Sequence, residues 1–155
     1  MDISGVLQIV GHADFIAEIL SVPMLPLLES GVKIRMHTGN GSMVSDMLLE
    51  GHCDLGISAH PVLDDRLKSE LIYTSKLLPV AAPSTVKRIL SAQDFGWSVM
   101  PEFLCQQQIA QSELMEIPSP VGTHEIHYYL IWLPSALRQV RVAHARQTLL
   151  TQLWS

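Results

Sequence analysis

Over its first 82 residues the chain alternates twice between short β-branched runs closed by glycine and longer stretches with apolar residues at nearly every helical turn. Val6-Leu7-Gln8-Ile9-Val10, closed by Gly11, reads as a buried strand, and the residues from Asp14 to Leu28 read as a helix packed on more than one side. Pro23 and Pro26 should kink or divide that helix, because each removes a donor and disfavours helix at the residue before it. Gly31 stops it. Val32-Lys33-Ile34-Arg35-Met36-His37 then alternates as a strand does, Gly39-Asn40-Gly41 makes a tight turn, and Ser42 is suited to cap a helix running to Glu50. Asp54-Leu55-Gly56-Ile57 begins a third strand, Pro61 to Asp65 form a turn, and Leu71-Ile72-Tyr73 and Leu78-Pro79-Val80-Ala81-Ala82 read as two further strands. Strands separated by helices predict a parallel α/β sheet.

After Pro83 that rhythm fails. The pattern gives at most a short helix over 84–90, a strand at Trp97-Ser98-Val99-Met100, a helix after Pro101 and a short strand at Leu114-Met115-Glu116-Ile117. His127 to Leu133 form the clearest strand of all, and Ser135 opens a final helix through Trp154. The expected organisation is a first lobe over 1–82, a second lobe with crossing strands over 83–133, and a C-terminal helix over 134–155 that returns to the first lobe.

Charge narrows the function. The formal net charge is −5, and no run of basic residues offers a seat for a phosphate backbone, so the chain itself is not expected to bind DNA. Charged residues make up 16% of the chain, against about 25% in an average domain, which leaves apolar surface little diluted. Cys53 and Cys105 lie far apart without a CxxC pattern, which argues for a reducing compartment and hence the cytoplasm. The N-terminus lacks the basic segment and the small-residue cleavage site of a secretory signal. The longest strongly apolar stretch, 126–137, falls short of the roughly 20 residues of a membrane span and contains Pro134.

Particular residues carry a likeness. Leu7-Gln8-Ile9, the apolar helix with Pro23 and Leu27-Leu28, Gly31-Val32-Lys33-Ile34, Gly41-Ser42-Met43-Val44 and Leu48-Leu49-Glu50-Gly51-His52-Cys53-Asp54-Leu55-Gly56-Ile57 follow in an order that resembles the effector-binding domain of LysR-type bacterial transcriptional regulators. The likeness continues through Leu67 to Leu71, Pro79 to Pro83, Phe95 to Leu104 and Ser112-Glu113-Leu114, and so spans nearly the whole chain. It implies a fold like that of the periplasmic binding proteins (type 2), with two Rossmann-like α/β lobes joined by crossing strands and a small-molecule effector in the cleft between them. It also implies a homodimer, a tetramer at full length, and DNA contacts made only through an N-terminal winged helix-turn-helix. Two departures stand out. The family has further strands and helices between the positions of Pro83 and Phe95, so either the protein is internally shortened or a stretch belongs near Leu90 and Ser91; the sheet edge that a halved lobe exposes favours the second. The family also favours small hydroxyl residues where the first strand enters the first helix, and this chain has His12-Ala13-Asp14.

In open α/β lobes ligands sit beyond the carboxyl ends of the strands, where helix N-termini present free N–H groups. That rule selects His12, Ala13, Asp14 and Phe15 after the first strand, Asn40, Gly41 and Ser42 after the second, and Ser58, Ala59 and His60 after the third. Each has a plainer reading as well. Gly39 to Ser42 suit a simple turn and cap, Asp14 an N-cap, and His60 a solvated loop. If the effector is an organic acid, it is expected to be anchored more by the start of the second helix than by the start of the first, where Asp14 would repel it.

Catalysis and metal binding find no motif. His52, Cys53 and Asp54 are consecutive, so in extended chain they cannot converge on one ion, and His124-x-x-His127 has no paired ligands. No GxSxG elbow, P-loop or HExxH sequence is present, and no cofactor is expected. A solute-binding protein of a transport system, built on the same architecture, is the alternative reading.

Overall fold

In the computed structural model, which describes residues 5–39, 41–83, 98–117 and 124–154, the first glycine-closed run becomes strand β1 (Gly5–Gly11). It pairs in parallel with β2 (Val32–Thr38), from Gly5 opposite Val32 to Gly11 opposite Thr38, and on its other side with β3 (Leu55–Ser58), where Ile9 faces Leu55. All four residues of β3 are buried, as expected of a strand covered on both faces. The chain forms two compact units, one of residues 1–73 and 127–155 and the other of 74–126.

In the first unit, helix α1 (Ala13–Phe15) continues as a π-helical stretch over Ile16–Leu20, and α2 (Leu25–Glu29) follows as a separate piece with Pro26 in its first turn. The prolines thus divide the apolar stretch as its sequence predicts. Gly31 leaves α2 at a φ of +90°, a conformation costly for any residue with a Cβ. Helix α3 (Gly41–Leu49) presses Val44 and Leu48 into a core shared with Val10, Cys53, Leu67 and Ile131. It lies so close to β3 that a Cβ on Gly56 would stand 2.6 Å from Val44 Cγ1 and 2.9 Å from Leu48 Cδ1.

The sheet is parallel across β1, β2 and β3, as the alternation of strands and helices predicts, and becomes mixed where the chain returns from the second unit. Strand β7 (His124–Trp132) enters antiparallel to β3, with Gly56 opposite Ile131 and Ser58 opposite Tyr129. After β7 come a 3-10 turn (Pro134–Arg138), Gln139 in extended backbone, and helix α5 (Val140–Trp154), in place of one unbroken helix from Ser135. Val142, Ala145 and Leu149 of α5 are fully buried and share one face, and Arg141 Nε donates to the carbonyl of Val6 at 3.0 Å.

Strand β4 (Lys68–Ala81) carries the chain from the first unit into the second as one strand of 14 residues, where two short strands were expected. The polar Thr74-Ser75-Lys76 between the apolar runs contains no glycine or proline to break it, and Ser75 is buried with its hydroxyl donating to the Lys76 carbonyl. In the second unit β4 pairs antiparallel with β5 (Ser98–Pro101) and with β6 (Met115–Glu116). Helix α4 (Glu102–Ala110) places Cys105 against Leu78 and Val80, with Met100, Ile109 and Leu114 around them. The expected helix at 84–90 and the departure near Leu90 and Ser91 lie outside the described residues.

Candidate functional site

The carboxyl ends of β1, β2 and β3 open onto two depressions, both formed by the first unit alone. The larger is a cavity of about 400 Å³. Ser58 and Ile131 form its floor, the first two turns of α3 supply Gly41, Ser42, Ser45 and Asp46 along one wall, and the loop from His60 to Asp64 makes the other. The smaller, about 290 Å³, is lined by His12, Ala13, Thr38, Gly39 and Met43.

Gly41, Ser42, Ser58 and His60 therefore meet in one cavity, while His12 and Ala13 belong to its neighbour. Ala59 is half-buried between two lining residues, and Asp14 is exposed in the first turn of α1, where His12 holds the N-cap position. Phe15 turns inward. Its ring is fully buried, stacked on Tyr128 at 4.3 Å between centroids and edge-on to Tyr73 at 5.8 Å. Asn40 lies outside the described residues. Helix α3 begins at Gly41, so Ser42 sits inside its first turn and is not the cap that the sequence suggested. From that position Ser42 lines the cavity.

Sequence reasoning missed Ser45 and Asp46, although they stand three and four residues beyond Ser42 and so share its helical face. It also read 61–65 only as a turn. That loop is in fact a wall with a fixed shape. The Asp64 carboxylate accepts from the Arg66 backbone N–H at 2.9 Å, from Nε at 3.1 Å and from Nη2 at 2.8 Å. These bonds to Arg66, reinforced by its charge, hold the Asp64 carboxyl down to about 2. Ile131 on the floor comes from a strand distant in sequence, and no local signal announces it.

The buried Ser58 hydroxyl accepts from the His60 N–H at 3.1 Å, which fixes the start of the loop as it leaves β3. Burial pushes the Tyr128 phenol upward, with the Asp14 carboxylate and Tyr73 adding to the effect. His52 and Cys53 diverge: the imidazole is exposed beside Glu50 at 3.3 Å, whereas the thiol is buried in the core of the unit. Among the described residues, no three His, Cys, Asp or Glu side chains are grouped to hold a metal ion, and no helix is long and apolar enough to cross a membrane.

Residues 27–94 match the family model of the LysR substrate binding domain. No curated protein matches the sequence. Among solved structures, the regulatory domain of CrgA, a LysR-type transcriptional regulator from Neisseria meningitidis, is 13% identical over 97% of this chain and 99% of that one, with a TM-score of 0.76. The full-length LysR-type regulator LysG from Corynebacterium glutamicum, solved with bound effector Arg, is 11% identical over 95% of this chain and 68% of that one, with a TM-score of 0.74. ArgP from Mycobacterium tuberculosis is 15% identical over 94% of this chain and 66% of that one, with a TM-score of 0.73. The fold is that of the effector-binding domain of LysR-type transcriptional regulators, of the periplasmic-binding-protein type.

Proposed function

We propose that this chain is the ligand-sensing, oligomerising module of a LysR-type transcriptional regulator, and that its effector enters the cavity bounded by α3, Ser58 and the 60–64 loop. The observation that carries this reading is the convergence of Gly41, Ser42, Ser58 and His60 at the carboxyl ends of parallel strands, where this class of fold receives ligands. The regulators among the similar structures favour sensing over the transport alternative. Effector binding shifts the balance between conformations of the module, and an attached DNA-binding domain reads the shift. DNA contact belongs to an N-terminal winged helix-turn-helix, the compartment is the cytoplasm, and no cofactor or catalytic step is involved. Val22, Leu25 and Leu28, exposed around α2, provide apolar surface for a homodimer, with tetramer formation at full length.

Nuclear magnetic resonance of the chain against a library of small metabolites tests the cavity. The expected hits perturb the amides of Ser42, Ser45, Ser58 and His60 together and raise the melting temperature. Hits that map consistently elsewhere on the chain would remove the cavity as the site. Light scattering should give twice the chain mass, and a gel shift should show no salt-sensitive binding of duplex DNA by this chain.

A further inference from the structure

We propose that the ligand of the α3 cavity carries a protonated amine beside a branched apolar body, and that Asp46 receives the amine. This rests on the reading of that cavity as the effector site and adds the chemical class of the ligand.

Among the described residues no lysine or arginine lines the cavity, although two aspartates do. The two are not equivalent. Asp64 is engaged by the Arg66 guanidinium, which offsets its charge and occupies both its oxygens. The Asp46 side chain has no hydrogen bond or ion pair among the described residues, so it presents an unpaired carboxylate to whatever enters. The opposing influence is the N-terminus of α3 at Gly41, equivalent to about half a positive charge and confined to the first turn. Asp46 lies in the second turn, beyond most of that field.

The remaining lining suits the same ligand. The Ser42 and Ser45 hydroxyls have no partner among the described residues, and both are able to accept from an ammonium group as readily as donate. On the facing wall, Leu63 is 95% exposed, held outward by a loop that the Asp64–Arg66 contacts keep in one shape. An exposed leucine at the cavity mouth gains from an apolar cover. A ligand that spans from Asp46 to Leu63 is therefore positive at one end and hydrocarbon at the other.

Three probes with one apolar body separate the charge classes: L-leucinamide is cationic at mildly acidic pH, N-acetyl-L-leucinamide is neutral, and N-acetyl-L-leucine is anionic. In resonance titrations of the whole chain, L-leucinamide should bind about tenfold or more tightly than either of the others, as a charge-assisted contact requires. Its shifts should centre on Ser42, Ser45 and Ser58. Asp46→Asn, on the exposed side of the helix, should keep the spectrum of the folded protein and reduce L-leucinamide to the affinity of the neutral probe. Equal or tighter binding of N-acetyl-L-leucine, or a preference that survives Asp46→Asn, overturns the charge class and leaves the cavity as the effector site. If none of the three perturbs the cavity residues, the reading of the cavity falls and this inference falls with it.

Discussion

The backbone N–H of Gln8 donates to the Asp54 carboxylate at 2.8 Å, and the N–H of Asp54 donates back to the Gln8 carbonyl at the same distance. The two residues stand on β1 and at the entrance to β3, so the clasp sets the register in which Ile9 meets Leu55. The Gln8 side chain extends the tie to the third parallel strand, since its Oε1 accepts from His37 Nε2 at 2.9 Å. Removing the carboxylate with Asp54→Ala leaves a part-buried N–H without its acceptor, and should cost about 1–3 kcal/mol in urea unfolding. Asp54→Asn, which keeps an acceptor oxygen, should lose distinctly less.

Gly56 is a matter of space. Its substitution by alanine drives a methyl into Val44 and Leu48, both fully buried, so α3 must move away from the sheet. The expected cost is about 1–3 kcal/mol, read as a lower unfolding midpoint. Because α3 also carries Ser42, Ser45 and Asp46, the same variant should weaken ligand binding at the cavity, which titration of a bound probe would measure.

The glycine-closed strands β1 and β2 and the helix α3 were legible because each is declared by its own residues: β-branched alternation, a breaker, then helical spacing. Gly31 at positive φ is the same kind of local statement. What escaped was set from a distance. The antiparallel entry of β7 depends on which edge of β3 is open, and Ile131 reaches the cavity only through that pairing. The rule of strand carboxyl ends brought Ser42, Ser58 and His60 into view, but it says nothing of which way a side chain turns. Phe15 obeys the rule in sequence and packs into the aromatic core with Tyr73 and Tyr128. Ser45 and Asp46 were within reach, had the helical period been carried one turn past Ser42.

Burial pushes the Cys53 thiol up from 9.0 to about 11, with the neighbouring Asp54 carboxylate adding to the effect. The folded protein thus holds a proton that the unfolded chain releases. The stability this contributes is complete below pH 9.0 and is lost as pH rises through about 11, so unfolding midpoints should decline over that window. Cys53→Ser, which does not ionise there, should flatten the decline. At pH 8 iodoacetamide should modify Cys53 far more slowly in the native protein than in urea.

Asp64 titrates in the opposite sense. Its bonds to Arg66 favour the carboxylate, so the pair persists as pH falls below the ordinary 3.8 and parts near 2. Carbonyl-detected resonances of the Asp64 side chain should show a midpoint near 2, and Arg66→Gln should restore it toward 3.8. Since the pair is solvent-exposed, that substitution should leave the melting temperature nearly unchanged while loosening the 60–64 loop.

The single strand from Lys68 to Ala81 also fixes an order of events at the ribosome. Because β4 leads out of the first unit and β7 leads back, the first unit is interrupted by the whole of the second. Strands β1, β2 and β3 emerge early and are able to pair at once, but the far edge of β3 waits for Leu130 and Ile131 to be synthesised. Until then the nascent chain carries an unprotected and largely apolar strand edge, and loop closure over the intervening residues slows its capture. A ribosome stalled within the second unit would therefore display β3 to other chains, which makes translation across residues 74–126 the interval in which this protein is most exposed to aggregation.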